Sequence, residues 1–146
     1  MNIQPDFEEL LRLFAIHEVE YMIVGGYAVA FHGYARFTKD IDLFYATTPA
    51  NIDRLRAALI AFGFSQDEIP PETFLQMGNV AVFGVAPLRV DLLNQIDGVT
   101  FDQAFPNAVT ATYGAAPARF IGREDLIKNK KSTRRTQDKA DVEELE

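Results

Sequence analysis

The chain has 146 residues, which is the size of one ordinary domain and too short for two. Hydrophobic residues make up 48% of it and charged residues 24%, a composition that excludes a disordered or fibrous protein. The absence of cysteine excludes disulfide scaffolds, thiolate catalysis and iron–sulfur clusters. We therefore expect a single domain over residues 1–146.

Charge and hydropathy narrow the range of partners. The net charge is −7, and residues 1–118 carry 6 basic against 14 acidic side chains. An acidic body is a poor surface for nucleic acid, whose affinity comes mainly from Lys and Arg contacts to phosphate. No segment reaches the roughly 18 apolar residues that a membrane span requires, and the opening MNIQPDFEELLRLF lacks the pattern of a signal peptide. We expect a cytoplasmic protein with no membrane partner and no general nucleic-acid surface.

The first third of the chain predicts two helices and two strands in alternation. The run VEYMIVGG is short, β-branched and aromatic, and predicts a buried strand that ends at two glycines. Residues 27–34 favour a short helix, and residues 38–46 favour a second strand with Asp40 and Asp42 on one face. Ahead of these elements, apolar residues at helical spacing predict a helix that buries Phe7, Leu10, Leu11 and Phe14.

The rest of the chain predicts a long helix, four strands and a polar tail. An apolar stripe predicts a helix over residues 52–62 that ends at Gly63. The runs GNVAVFGV, PLRVDLLNQI, ATYG and ARFI predict strands, with a short helix over residues 101–108. Residues 123–146 form the predicted helical tail, and its expected anchors are Leu126, Ile127, Val142 and Leu145. This order of elements indicates an α+β fold, a mixed β-sheet flanked by helices.

Residues 23–44 hold most of the features that indicate chemistry. A strand runs into Gly25-Gly26 and then into a helix, and glycines there let the backbone approach a phosphate closely. Asp40 and Asp42 lie two residues apart on a strand, so both carboxylates project from one face. Further along, Asp91 lies in the apolar run RVDLL, where a carboxylate is costly unless it is paired or binds a metal. Such carboxylates can converge on one divalent ion, and Mg²⁺ is commonly held by one or two carboxylates plus substrate phosphates.

Each of these features also has a plainer interpretation. A Gly-Gly pair after a strand is often only a tight turn, and Tyr27 stands where the dinucleotide-binding pattern needs its second glycine. A single D-x-D pair is often a solvated strand face, and Asp91 can instead pair with Arg89 or cap a turn. His17 and His32 are interpreted as helix-packing residues. It is the joint spacing of the three features that favours a chemical role.

The pattern of a hydrophobic residue before Gly25-Gly26, followed about a dozen residues later by R-x-T-x-D-I-D-L, resembles the DNA polymerase β-like nucleotidyltransferase superfamily. Within it, the chain is similar to the minimal branch that includes AbiEii-type toxins and lincosamide-type antibiotic nucleotidyltransferases. The resemblance implies a nucleotidyltransferase fold and an NTP held at Gly25 and Gly26. It also implies two Mg²⁺ ions, with Mn²⁺ as the alternative metal, bound by the catalytic residues Asp40, Asp42 and Asp91.

Three residues beside the paired aspartates are further candidates for nucleotide binding. Arg36 and Lys39 flank the pair and can neutralise phosphate charge, since guanidinium and ammonium groups suit that task. Thr38 shares the face of the aspartates and can hydrogen-bond a phosphate or orient Asp40.

The basic tail adds Lys130 to the expected nucleotide-binding residues. By resemblance, the tail DLIKNKKSTRRTQDKADVEEL matches the pattern of the branch at Lys130, Arg135, Asp138 and Asp141. Lys130 and Arg135 are separated by about 140° on a regular helix, so one unbroken helix cannot direct both at one phosphate. We expect a break between Lys131 and Arg135, with Lys130 turned to the cleft and Arg135 paired with Asp138 or Asp141. The alternative is a continuous helix whose basic side chains are solvated.

Two functions from different classes fit this sequence. The first is Mg²⁺-dependent nucleotidyl transfer, in which an acceptor oxygen of a protein, an RNA or a small hydroxyl compound attacks the α-phosphate of an NTP and expels pyrophosphate. The second is a partner-dependent or non-catalytic nucleotide-binding module of a toxin–antitoxin type system, because the sequence predicts no substantial helical domain for the acceptor. The three intact aspartates favour the first function. The pattern specifies neither the acceptor nor the base of the NTP.

Overall fold

The computed structural model describes residues 3–34, 40–84, 89–133 and 135–146. The helices are α1 (Pro5–Ile16), α2 (Gly25–Phe31), α3 (Pro49–Phe62), α4 (Pro71–Leu75), α5 (Phe101–Ala104), α6 (Arg123–Lys131) and α7 (Thr136–Leu145), with 3₁₀ turns at Gln66–Glu68 and Phe105–Asn107. The strands are β1 (Tyr21–Val24), β2 (Asp40–Tyr45), β3 (Val80–Phe83), β4 (Arg89–Leu93), β5 (Val109–Tyr113) and β6 (Ala116–Phe120). The predicted α+β class is confirmed. None of the helices in these ranges is long and apolar enough to cross a membrane.

The strands form one mixed sheet in the order β3-β4-β2-β1-β6-β5. β1 runs antiparallel to β2, whereas β2 is parallel to β4 and β1 is parallel to β6. The two outer strands pair antiparallel with their sequence neighbours, β3 with β4 and β5 with β6. The centre of the sheet is therefore β4, β2 and β1, the strands that carry the aspartates and lead into the glycine turn.

Helices α1 and α3 pack against each other and bury the stripes that their spacing predicts. Gly63 takes a φ of 136° directly after α3, a conformation that glycine adopts at no steric cost. β1 is buried along its whole length, as predicted. The four predicted residues of α1 all lie in the core: Phe7, Leu10, Leu11 and Phe14.

The pleat of β2 sets Ile41 and Leu43 on one face and Asp40 and Asp42 on the other. Ile41 and Leu43 are fully buried, whereas Asp40 and Asp42 are only partly buried. Because successive strand residues point to opposite faces, the two carboxylates project away from the apolar side of the strand. The core thus fixes the orientation of the acidic face.

The elements differ from their predicted bounds in a few places. α2 begins at Gly25, directly after β1, instead of at residue 27, because the glycine turn is itself the first turn of the helix. α4 and the turn at Gln66–Glu68 were not predicted, since segments of three to five residues show no periodicity. Ile127 is only partly buried, but the other tail anchors are buried as expected: Leu126, Val142 and Leu145.

Candidate active site

Asp42 and Asp91 lie opposite each other on the parallel strands β2 and β4. Neighbouring strands are about 4.8 Å apart, and paired residues project from the same face. When Asp42 is protonated, its carboxyl can donate a hydrogen bond to Asp91, and Asp40 lies on the same face of β2, opposite Arg89. The register of one strand pair therefore brings together the three aspartates, which we call the sheet carboxylates.

Arg89 forms ion pairs with two of the sheet carboxylates, Asp91 and Asp40. Its Nε and Nη2 donate to the two carboxylate oxygens of Asp91 over 2.9 and 3.0 Å. Nη2 also lies 3.3 Å from Oδ2 of Asp40. The pairing of Asp91 with Arg89, one of the plainer interpretations of the sequence, is thus present in the structure. The guanidinium itself remains 42% exposed.

The pKa of Asp42 lies well above its ordinary value. Burial, followed by the charge and hydrogen bond of Asp91 and then the charge of Asp40, raises the pKa of Asp42 to about 7. The positive charge of Lys130 opposes this shift without cancelling it. The surroundings of Asp42 therefore disfavour its charged form.

The glycine turn lies directly against Asp42. Gly25 has a φ of 67°, which favours glycine, and a β-carbon at this position would collide with the Asp42 carboxylate. Gly26 is buried in the first turn of α2. The structure therefore explains glycine at position 25 twice, by backbone conformation and by the close approach of the carboxylate.

A cavity of about 260 Å³ opens over Gly25 and Asp42. α6 and the segment that follows contribute Lys130, Thr133 and Arg135 to its lining. The end of β4 and the loop after it also line the cavity. We refer to this space as the Asp42 cavity.

Lys130 is buried and paired with two aspartates of α7. Its Nζ lies 2.7 Å from Oδ1 of Asp138 and 3.4 Å from Oδ2 of Asp141. Arg135 Nε donates to Oδ2 of Asp138 over 2.9 Å, and the Thr133 hydroxyl donates to the same oxygen over 2.6 Å. These five residues form what we call the Lys130 cluster.

The Lys130 cluster agrees with the predicted geometry of the tail. α6 ends at Lys131 and α7 begins at residue 136, so the expected break is confirmed. The expected pairing of Arg135 with Asp138 is also confirmed. Within the cluster, burial raises the pKa of Asp138, but hydrogen bonds from Lys130, Thr133 and Arg135 outweigh it and leave that pKa below its ordinary value.

Three predicted nucleotide-binding residues, Arg36, Thr38 and Lys39, lie outside the described residues. Sequence reasoning missed Asn129, a buried residue at the wall of the Asp42 cavity whose side-chain amide donates to the Asp97 carbonyl over 2.8 Å. A single polar residue within a run of lysines gives no sequence signal of this tie to a distant loop. The His32 ring nitrogen contacts the Ile121 carbonyl at 2.7 Å, which fits the packing role expected of it.

The sheet carboxylates fit a divalent metal in their donor chemistry. Mg²⁺ prefers oxygen ligands, and Asp42 and Asp91 present carboxylates from adjacent strands. Across the described ranges, no three acidic or histidine side chains are already arranged to hold an ion. Arg89 lies between Asp91 and Asp40, so it must move for both to act as ligands.

Comparison with known proteins places this geometry in a family. Residues 4–146 match the family described as "Nucleotidyl transferase of unknown function (DUF2204)". No curated protein matches the chain. The nucleotidyltransferase character predicted from the glycine turn and the aspartates is thereby confirmed, while the particular branch stays a prediction. With nearly the whole of its length matched, the chain belongs to this nucleotidyl transferase family.

Proposed function

We propose that the protein is a Mg²⁺-dependent enzyme that transfers a nucleoside monophosphate from an NTP to a hydroxyl acceptor. The observation that carries this proposal is the register of β2 and β4, which sets Asp42 against Asp91 beside the glycine turn. Membership of a nucleotidyl transferase family supports the same reaction class.

The proposed reaction forms a bond between the acceptor oxygen and the α-phosphorus and breaks the bond from that phosphorus to the bridging oxygen of pyrophosphate. Asp91 accepts the acceptor's proton, and pyrophosphate leaves with its electron pair. Mg²⁺ on Asp40, Asp42 and Asp91 would stabilise the attacking and leaving oxygens.

The other residues of the Asp42 cavity bind and orient the phosphates in this proposal. Glycine at position 25 lets the turn lie directly against the Asp42 carboxylate, so a phosphate bound at the turn would lie beside that carboxylate. Lys130, which lines the cavity and is held in place by Asp138 and Asp141, contacts the phosphates in this proposal. Arg89, released from Asp91, supplies a second positive charge beside the sheet carboxylates.

The test is NTP binding by calorimetry with and without Mg²⁺, using the parent protein and Asp42→Asn. We expect Asp42→Asn to lose the Mg²⁺-dependent part of the affinity, because the amide cannot replace the carboxylate as a metal ligand. Asp67→Asn, an exposed aspartate in the 3₁₀ turn, is the matched control and should bind like the parent. Equal affinity of Asp42→Asn and the control for Mg·NTP would exclude Asp42 as a ligand.

A non-catalytic, partner-dependent module of toxin–antitoxin type is a second candidate, favoured by one observation. Arg89 occupies both oxygens of Asp91, the aspartate assigned to the acceptor proton. In such a module the NTP binds with Mg²⁺ but no pyrophosphate forms. Pyrophosphate release from NTP in the presence of nucleoside, RNA and protein acceptors distinguishes the two functions.

A further inference from the structure

A second cavity, of about 450 Å³, lies beside the Asp42 cavity. Gln95 and Ile96 line both spaces. Phe44, in the wall of the second cavity, follows Asp42 by two residues on the same face of β2, which separates their Cα atoms by only about 7 Å. The two cavities therefore follow one another along a single strand. We call the second one the aromatic cavity, after Phe44, Tyr45 and Phe101 in its wall.

The two cavities differ in volume, and each fits a different part of a nucleotide. Ligand pockets usually measure about 300–1,000 Å³. The Asp42 cavity, at about 260 Å³, falls below this range and is lined by charged groups, so it suits phosphates. The aromatic cavity, at about 450 Å³, falls within the range. An NTP with its phosphates in the smaller cavity therefore needs a second space for its nucleoside.

The chemistry of the aromatic cavity suits a planar, weakly polar group. The rings of Phe44 and Phe101 meet edge to face with centroids 5.3 Å apart, and Met77, 57% exposed, adds a polarisable thioether. Within the described chain no lysine or arginine lines this cavity, so it offers no cation to a phosphate. Bases stack on aromatic side chains irrespective of sequence, because every base has a π-face.

We propose that the aromatic cavity binds the nucleobase of the NTP whose phosphates occupy the Asp42 cavity. The assignment rests on the proposed function, and it adds a base-binding site formed by Phe101, Met77 and Ile96. The shared wall of Gln95 and Ile96 lies where the ribose would join the two parts of the ligand.

The experiment compares a complete nucleotide with its phosphate part alone. Calorimetry in Mg²⁺ first ranks ATP, CTP, GTP and UTP on the parent protein. The tightest of these and inorganic tripolyphosphate are then measured on Phe101→Ala and on Met77→Ala, whose exposed side chain is dispensable for folding. We expect about tenfold weaker NTP binding by Phe101→Ala, a smaller loss by Met77→Ala, and unchanged tripolyphosphate binding, since only base stacking is removed.

Phe105→Ala is the matched control for the packing of Phe101. Phe105 stacks on Phe101 with ring centroids 4.8 Å apart but does not line the aromatic cavity, so its loss should leave NTP affinity unchanged. If the parent binds neither the NTPs nor tripolyphosphate, the proposed function fails. If the parent binds both and neither cavity variant changes their ratio, the base site fails alone. Slower transfer by Phe101→Ala at unchanged NTP affinity would assign the cavity to the acceptor and overturn the proposal.

Discussion

Two groups of charged side chains reach the same cavity, one through Asp42 and the other through Lys130, and the protein compensates the charges of their aspartates very differently. Arg89, whose guanidinium stays 42% exposed, pairs with two of the sheet carboxylates, Asp40 and Asp91. The aspartates of the Lys130 cluster share a buried ammonium, and Asp138 accepts hydrogen bonds from two further residues, Thr133 and Arg135. The pKa of Asp42 rises to about 7, whereas that of Asp138 falls below its ordinary value.

This difference suggests different roles for the two groups. The sheet carboxylates are suited to bind a ligand, whereas the Lys130 cluster stabilises the fold. Buried charges are stable when they are paired, and the Lys130 cluster meets that condition within the chain. The raised pKa of Asp42 shows that the charged form of this sheet carboxylate is disfavoured, and a divalent cation would stabilise that form. Lys130 connects the groups, since its ammonium is held by one and acts electrostatically on the other.

Lys130→Ala should have the largest effect on this comparison. Without the ammonium, Asp138 and Asp141 remain buried near each other, and breaking a buried pair costs about 3–5 kcal/mol. The exposed neighbour Lys131, which pairs only weakly with Glu146 at 3.4 Å, gives the matched control Lys131→Ala, with an expected loss below about 1 kcal/mol. Urea denaturation of both variants provides the measurement. Similar losses in the two would show that the Lys130 cluster does not hold α6 to α7.

Asp42→Asn should have the opposite sign in metal-free protein. A carboxyl whose folded pKa is raised stabilises the fold while protonated and loses that contribution as the pH rises from about 4 through about 7. We therefore expect Asp42→Asn to be more stable than the parent at pH 8, by about 1–2 kcal/mol after allowance for solvent screening.

The same pair of proteins should have similar stability near pH 4, where Asp42 of the parent is protonated. Melting temperatures recorded across pH 4 to 8 in a chelator provide the measurement. If the melting temperature of the parent instead rises relative to that of Asp42→Asn as the pH increases, the pKa of Asp42 is not raised in the folded protein.

The sequence predicted the parts of the fold that depend on local pattern. The apolar stripe of α1 and the alternation in β2 were sufficient to place Phe7 in the core and Asp42 on the open face. The break before Arg135 was expected from helix geometry together with the resemblance that singles out Lys130 and Arg135. The sequence did not predict α4, because a helix of five residues is too short to show a periodic apolar pattern.

The pairings that define the candidate site were less accessible. The contact of Arg89 with Asp40 depends on the register of β2 against β4, which lie far apart in sequence. The burial of Lys130 depends on how α7 folds back on α6, and a run of basic residues is ordinarily a solvated face. Pattern therefore located the acidic residues, while long-range packing decided which of them were compensated.

Arg89→Gln should make a smaller change, confined to the sheet carboxylates. The guanidinium competes with a metal for Asp91 and Asp40, so its removal should tighten Mn²⁺ binding about threefold in the absence of nucleotide. The effect is modest because an exposed ion pair contributes little. Electron paramagnetic resonance of free Mn²⁺ measures it, with Arg12→Gln, a surface pair of α1, as the control. Unchanged or weaker Mn²⁺ binding by Arg89→Gln alone would show that Arg89 does not compete with the ion.

Arg135→Ala is expected to have the smallest effect and sharpens the boundary between the two groups. Its side chain is 75% exposed although it donates to the buried Asp138, so its loss should cost only about 0.5 kcal/mol. Thr133→Val removes a buried hydrogen bond to the same oxygen and should cost more, about 1–2 kcal/mol, because Asp138 then loses a partner that water cannot replace. Urea denaturation of both variants at pH 7 provides the measurement. If Arg135→Ala lowers the free energy of unfolding as much as Thr133→Val does, the exposed arginine stabilises the fold as strongly as the buried hydrogen bond. The stabilising role of the Lys130 cluster would then extend to a residue that lines the Asp42 cavity.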